Sequence, residues 1–194
     1  MSKVRLEAFS DGVIAILITI MVLELKVPHG ADLAALRPLL PVFLAYVLSF
    51  VFLGIYWNNH HHMLHVCSRI NGAVLWANLH LLFWLSLVPF VTGWMGENHF
   101  EPLPTAVYGA VMLMAGLAFT ILQRILVSLE GPASVLAVAV RNKTKEHVSL
   151  ASYFAAIPLA FVNEWISHAL YVAVALMWLV PDRRIESMLS EAAP

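Results

Sequence analysis

The chain alternates between long apolar runs and short polar segments. The period of the apolar positions and the Pro and Gly breaks between them predict an all-α protein. Each run has a length typical of a helix in a membrane or a buried core, and the last two are the shortest. The six predicted helices cover about residues 3–25, 39–59, 74–94, 105–129, 148–162 and 165–180.

The first apolar run has a polar start. Arg5, Glu7, Ser10 and Asp11 precede an uninterrupted apolar stretch at 12–23. That stretch would span about 18 Å as a helix, whereas the hydrocarbon core of a bilayer is about 30 Å thick. Part of the polar start must then lie at membrane depth, where ionisable groups face protein or water and not lipid. We therefore expect helix 1 to stand inside a bundle.

Helix 1 carries two distinct faces. Ile16, Ile20 and Leu23 follow each other at i, i+4 and i+7, with Thr19 beside Ile20. Arg5, Phe9 and Gly12 continue this stripe toward the N-terminus, and a second face holds Asp11, Ala15, Ile18 and Val22. One face can line a narrow apolar path with a single hydroxyl, while Asp11 ties the other face to neighbouring helices. The same spacing also fits an ordinary buried helix.

Composition places the chain in a lipid bilayer. It is 61% hydrophobic and 12% charged, with a mean hydropathy of +0.81, whereas an average soluble domain is about 25% charged. The net charge of -1 gives no field that favours nucleic acid, and the single cysteine excludes an internal disulfide. We expect one six-helix transmembrane domain over residues 1–182 and a short cytoplasmic tail over 183–194.

The basic residues predict the orientation. With six spans, nine of the 11 Lys and Arg residues fall on one side or near it, and only Lys26 and Arg37 fall on the other. Positive charge is concentrated on cytoplasmic loops, so both termini are expected in the cytoplasm. No cleavable signal is evident, and helix 1 should be retained.

Three segments in order resemble a known family. The first is Arg5-x-x-x-Phe9-Ser10-Asp11, followed by an apolar run and Lys26-Val27-Pro28. The second is Trp57-x-Asn59-His60-His61, and the third runs from Asn78-Leu79 through 87–90 to Gly96-Glu97. Together they resemble the transmembrane protein 175 family of potassium channels. The resemblance is strong to about residue 97, and beyond it only the architecture agrees.

The resemblance implies a potassium-selective channel in the cytoplasmic membrane that conducts passively and needs no cofactor. In that family the first helix lines the pore, so Ile16, Ile20 and Leu23 would form apolar constriction rings and Thr19 would contribute to selectivity. A single six-helix unit implies a homotetramer. The chain has no Thr-Val-Gly-Tyr-Gly segment of the kind that lines other potassium filters with carbonyls. Selectivity would then depend on side-chain rings, pore radius and water.

The polar signature residues form the second candidate site. Asp11 and Arg5 are too far apart on the helix to pair with each other. Their candidate partners on helices 2 and 3 are Trp57, His60, His61 and Asn78. Such a network can set the angle of helix 1, or it can be a static requirement of folding.

Other site chemistries receive less support. Among His60, His61, His62 and His65 only His61 and His65 share a helix face, and no Glu or Cys pair accompanies them. Interfacial hydrogen bonding is therefore favoured over a metal site or a pH sensor. No serine has a Gly-x-Ser-x-Gly context, so an enzyme is not expected.

Two alternative functions remain open at this point. One is a small secondary transporter coupled to protons through Asp11, Glu24 and the histidines. Transporters of that kind show internal repeats, and none is visible here. The other is a structural membrane protein without transport.

Overall fold

The computed structural model describes residues 2–179, and within that range the chain consists of helices and their connections. Short 3₁₀ segments at Met21–Glu24 and Leu33–Leu39 extend the end of α1 and the start of α2. The helices are α1 Lys3–Ile20, α2 Leu40–His65, α3 Gly72–Ser86, α4 Val88–Glu97, α5 Pro102–Glu130, α6 Val135–Ala139, α7 Thr144–Leu159 and α8 Glu164–Leu179.

Four stretches are long and apolar enough to cross a membrane, in agreement with the first four predicted helices. They are Lys3–Glu24, Leu33–His65, Gly72–Glu97 and Pro102–Glu130. Helices α7 and α8 have 16 residues each, or about 24 Å, which is less than the core of a bilayer. An all-helical membrane protein is thus confirmed, whereas the count of six spans remains a prediction. The predicted tail at 183–194 lies outside the described residues.

The bounds of two predicted helices need correction. Helix α2 does not end at Asn59 but continues to His65, because the histidines interrupt the apolar run without breaking the backbone as Pro or Gly would. The single helix expected over 74–94 is two helices that meet at Leu87. Pro89 lies in the first turn of α4, where its missing N–H is tolerated, and it accounts for the kink that the sequence predicted.

Helix α5 packs against α3, α4, α7 and α8 and is the centre of the bundle. A chain of buried hydroxyls connects it to α2 and α4. Thr92 Oγ1 donates to the carbonyl of Val88 at 2.7 Å, so its oxygen accepts from Ser49 Oγ at 2.6 Å. Ser49 in turn accepts from the hydroxyl of Tyr108 at 3.1 Å. Ser49 and Thr92 therefore each donate one hydrogen bond and accept another, and Tyr108 donates one, so all three buried hydroxyls have a partner.

Helices α7 and α8 form an antiparallel hairpin that lies against α5. The Ser167 hydroxyl donates to the Ala156 carbonyl at 2.7 Å, and Trp178 Nε1 donates to Ser149 Oγ at 2.8 Å. The hydroxyl of Tyr171 on α8 donates to the carbonyl of Thr105 on α5 at 2.9 Å. These bonds join α8 to α7 and to α5 at several positions along the bundle.

The tyrosine reaches α5 only because Gly109 has no side chain. A Cβ at Gly109 would overlap the Tyr171 hydroxyl. We expect Gly109→Ala to force the two helices apart and to lower the free energy of unfolding by about 1–3 kcal/mol, as overpacking does. The measurement is thermal unfolding of the purified protein in detergent. Gly72→Ala is the matched control, because a Cβ there meets nothing within 4 Å, and an equal loss in both variants would contradict this reading.

Candidate functional site

Helix α1 packs on the rest of its own chain through one narrow face. Every third or fourth residue along that face is buried, as the period of an α-helix requires. Its members are Leu6, Ser10, Ile14, Leu17 and Met21. The packing face thus centres on Ser10 and Ile14 and not on Asp11. Asp11 and Ile18 of the second face are half-buried, whereas Ala15 and Val22 are exposed, so that face lies at the edge of the packing and not at its centre.

The apolar stripe of α1 is not covered by its own chain. Ile16 is 57% exposed, Ile20 41% and Leu23 77%, and Thr19 is exposed beside them. Phe9 and Arg5 continue this exposed side toward the N-terminus. Packing within the chain therefore does not explain the stripe. It is available to lipid, to other copies of the chain or to an aqueous path.

The Thr19 hydroxyl is oriented by the backbone of its own helix. Its Oγ1 lies 3.0 Å from the carbonyl oxygen of Ala15 and 2.9 Å from that of Ile16. A hydroxyl has one hydrogen and two lone pairs. The hydrogen is occupied by these carbonyls, so the free capacity of the exposed oxygen is that of an acceptor. Such an oxygen can coordinate a cation.

Behind α1, a buried network joins three helices through Asn78 of α3. Asn78 Nδ2 donates to Ser10 Oγ at 2.9 Å, and Asn78 Oδ1 lies 2.7 Å from His60 Nε2 of α2. The Ser10 hydroxyl donates onward to the carbonyl of Leu6 at 2.8 Å. All three polar side chains are at most 1% exposed. The network therefore fixes the rotation of α1 against α2 and α3.

This network determines the state of His60. Asn78 Oδ1 can only accept, so His60 Nε2 must carry a hydrogen. In the neutral ring the other nitrogen, Nδ1, is then a bare acceptor. His60 Nδ1 is indeed buried without a hydrogen-bond partner among the described residues. The ring has a single bonded nitrogen and acts as a donor to Asn78.

Asp11 belongs to a separate and less buried contact. Trp57 Nε1 of α2 donates to Asp11 Oδ1 at 3.1 Å. His61 does not join that bond but stacks between the rings of Trp57 and His65, at centroid distances of 6.0 and 6.1 Å. Of the four proposed partners of Asp11 and Arg5, the structure thus brings only Trp57 to Asp11. His60 binds Asn78, and Asn78 also binds Ser10.

Both ends of α1 are also attached by lysines. At the N-terminal end, Lys3 Nζ donates to the carbonyl of His65 at 2.6 Å. At the other end, Lys26 beyond the 3₁₀ turn forms an ion pair with Glu97 at the end of α4. The hydrogen bond and charge of Glu97 raise the pKa of the Lys26 ammonium above its ordinary value. Neither contact could be predicted from local sequence patterns, because the partners are more than 60 residues apart.

Within residues 2–179 no group of three His, Cys, Asp or Glu side chains has the geometry of a metal site. The four histidines near the end of α2 are divided between the buried network and the exposed stack. Cys67, which follows that helix, is buried, and burial raises the pKa of its thiol to about 11. The thiol is therefore protonated at neutral pH and is a poor nucleophile.

These features define a polytopic helical membrane protein in which one helix is anchored by buried polar groups on one side and presents an uncovered apolar stripe on the other. Comparison with known proteins agrees with that class. Residues 5–89 match the family described as endosomal/lysosomal potassium channel TMEM175. The chain is 53% identical, over 98% of its own length and 100% of the relative's, to a potassium channel of Chryseobacterium sp. (strain P1-3).

Two further comparisons extend over most of the chain. A potassium channel of Chamaesiphon minutus is 31% identical over 89% of this chain and 91% of its own length. The crystal structure of a lysosomal potassium-selective channel TMEM175 homolog from Chamaesiphon minutus superposes with a TM-score of 0.80 at 27% identity, over 92% of this chain and 96% of that one. The chain belongs to the TMEM175 family. That family consists of channels, so the chain is not an enzyme.

The buried network yields a stability prediction. Asn78→Ala removes the partner of both Ser10 and His60 and leaves buried polar groups unpaired, which costs about 1–3 kcal/mol for each group. We expect a clear fall in the thermal unfolding temperature in detergent. Asn58→Ala, at an exposed position of α2, should change that temperature little. Equal effects of the two changes would show that the network contributes no stability.

The contact between Asp11 and Trp57 can be measured as a coupling. A hydrogen bond to a charged group contributes about 1.5–3 kcal/mol, and this one is exposed, so a value at or below the lower end is expected. Asp11→Ala, Trp57→Phe and the double variant form a cycle whose interaction term in unfolding free energy reports the bond. Additive effects would mean that Asp11 is not an anchor of α1.

Proposed function

We propose that this chain is a subunit of a potassium-selective channel that conducts passively through a pore lined by α1. The observation that carries the proposal is the uncovered stripe of Ile16, Thr19, Ile20 and Leu23. It occurs in a chain whose relatives are named potassium channels. The permeant potassium ion is the only ligand that the activity needs.

A single α1 cannot enclose a path, so the pore requires several copies of the chain. The chain has one unit of helices with one stripe, and four stripes around an axis would make stacked rings. The rest of the bundle then lies outside α1, where its exposed apolar side chains face lipid. We therefore propose a homotetramer in the cytoplasmic membrane, with both termini in the cytoplasm as the basic residues predict.

Side chains, not backbone, must contact the ion in such a pore. The carbonyls of α1 are bonded within the helix as far as Leu17, so along that length they cannot replace the hydration shell as the carbonyls of a filter loop do. Rings of Ile16, Ile20 and Leu23 would close the path by dewetting when they are narrow. Four Thr19 oxygens, whose hydrogens point to their own backbone, would offer lone pairs between those rings.

The signature residues would serve this pore from behind. The hydrogen bonds of Asn78 with Ser10 and His60 would set the rotation of α1. The hydrogen bond between Trp57 and Asp11 would attach the adjacent face of α1 to α2. Arg5 and Phe9 lie on the exposed side of α1 near its N-terminus. We propose that these two residues contact neighbouring subunits at the cytoplasmic end of the path.

The orphaned Nδ1 of His60 favours a second candidate, the proton-coupled transporter, because it is a protonatable atom in a buried network. A proton path would have to continue from Asp11 to Glu24 at the other end of α1. Residues 12–23 between them are entirely non-ionisable, which leaves about 18 Å of helix without a relay group. The channel is thus the better supported of the two.

Flux in liposomes tests the channel. Purified protein in potassium-loaded vesicles should produce a diffusion potential that follows the potassium gradient and does not saturate. A coupled and saturating flux would support the transporter instead, and no flux from folded protein would leave only a structural role. Mass determination in mild detergent should give four chains, and a monomer or dimer there would contradict the pore.

The stripe itself is tested by substitution. Ile16→Ala and Leu23→Ala should widen the path and raise the current, and lowering the barrier by about 1.4 kcal/mol corresponds to a roughly tenfold rise. Ile16→Asn should favour a wetted, open path. Thr19→Val keeps the shape and removes the oxygen, so it should change the preference for potassium over sodium. The measurement is single-channel or flux recording at equal protein yield.

The control for these changes is on the same helix. Ile18 is half-buried against the core of its own chain, so Ile18→Ala should leave conduction nearly unchanged. Val22, which shares the helical face of Ile18, is 47% exposed and does not serve as a control. If Ile18→Ala changed the current as strongly as Ile16→Ala, the pore would have to be lined by another face of α1.

A further inference from the structure

A cavity of about 50 Å³ lies between α2, α5, α7 and α8, away from α1 and its network. One water needs about 10–15 Å³ of such volume, so the space can hold a compact group of about three to five heavy atoms. The cavity opens to the surface on one side. Aromatic rings from four helices dominate its lining, and they are Phe52, Tyr56, Phe119, Tyr153 and Trp178.

The rings are arranged around the space and do not fill it. Tyr56 and Phe119 meet edge to face at a centroid distance of 6.0 Å, and Phe52 and Tyr153 do so at 6.1 Å. The ring of Trp178 already has a cation near its face, because Lys145 Nζ lies 5.7 Å from its centroid. The negative faces of aromatic rings attract cations, and several such rings together bind quaternary ammonium groups.

Two tyrosine hydroxyls belong to side chains that line the cavity. Tyr153 is 3% exposed, and it lines the space together with Tyr56. The Tyr56 hydroxyl lies 3.7 Å from the position that a Cβ on Gly116 would take. An occupant beside Gly116 would therefore meet the Tyr56 hydroxyl as well as the aromatic rings.

Besides the Lys145 ammonium over the Trp178 ring, one carboxylate borders this space. Glu146 lines the cavity, and its Oε1 accepts from Gln123 Nε2 at 2.9 Å. The second carboxylate oxygen remains for an occupant. The Ser149 hydroxyl, also in the lining, is already committed, since it accepts from Trp178 and donates to Lys145. An occupant thus meets several rings, one carboxylate and few other oxygens, which suits an organic cation better than a metal ion that needs six or more oxygen ligands.

We propose that this cavity binds the head of an organic ammonium compound, with its methyl or methylene groups on the aromatic rings and its charge beside Glu146. The site is independent of the pore, because none of its lining residues belongs to α1. The ammonium can come from a soluble compound or from the head group of a membrane lipid, and the open side of the cavity admits either.

Binding to the full-length protein in detergent tests the site without any flux measurement. Choline is the probe, and 3,3-dimethylbutan-1-ol is its neutral isostere. Calorimetry should show saturable choline binding that is at least about tenfold tighter than that of the isostere, or about 1.4 kcal/mol. Glu146→Gln should reduce choline affinity to nearly that of the isostere. Gly116→Ala, whose Cβ would point toward Tyr56 and Leu150, should weaken both ligands.

Two matched controls lie outside the cavity. Tyr46→Phe removes a hydroxyl from the same helix as Tyr56, and Glu101→Gln removes an exposed carboxylate; both should bind choline as the unmodified protein does. Equal binding of choline and the isostere would overturn the role of charge. Absence of saturable choline binding to folded protein, or unchanged binding in both Glu146→Gln and Gly116→Ala, would overturn the site.

The source of the ammonium is resolved by reconstitution. Choline affinity should fall in vesicles of phosphatidylethanolamine, compared with phosphatidylglycerol, if the lipid head group occupies the cavity. Equal affinity in the two vesicles assigns the site to a soluble ammonium compound.

Discussion

The hydrogen bonds of Asn78 are the constraint on which the arrangement of the first three helices depends. Lipid tails are as apolar as the helix surfaces, so burial of apolar area alone gives little reason for one rotation of α1 over another. A buried amide between Ser10 and His60 does give one, because any other rotation leaves polar groups unpaired in an apolar medium. Because this rotation of α1 is fixed, the stripe of Ile16, Ile20 and Leu23 on the other side of the helix stays exposed.

A second set of polar contacts secures the remainder of the bundle. The hydroxyl chain from Tyr108 through Ser49 to Thr92 joins α5, α2 and α4. At the turn after α2, the carboxylate of Glu130 accepts from the backbone amides of Ser68 and Arg69 at 2.7 and 2.9 Å. The first contact joins three helices and the second joins the end of α5 to the turn after α2. Together they make α5 a fixed support on which the short helices α7 and α8 pack.

The sequence predicted the class of protein and the stripe because both follow from local periodicity. Ile16, Ile20 and Leu23 share a face on any helix, whatever surrounds it. The sequence did not predict that Ser10, next to Asp11, would be the buried partner of Asn78. Neighbouring residues on a helix point about 100° apart, and only tertiary packing determines which of them faces the core. The sequence did not predict that α2 continues to His65, because histidine neither ends nor favours a helix. It predicted a kink at Pro89, whereas the helix breaks at Leu87, because a proline can disturb the helix anywhere within one turn of its own position.

The attachment of α1 by Lys3 at one end and Lys26 at the other has a mechanical consequence. A rod that is held at both ends cannot slide along its axis, and its remaining freedoms are to bow at the middle or to tilt together with the body that holds it. Lys3 binds the end of α2 and Lys26 the end of α4, so tilting carries those helices too. The midpoint between the two lysines lies at Ile14 and Ala15, and bowing there would also have to displace the packed side chain of Ile14 from the core.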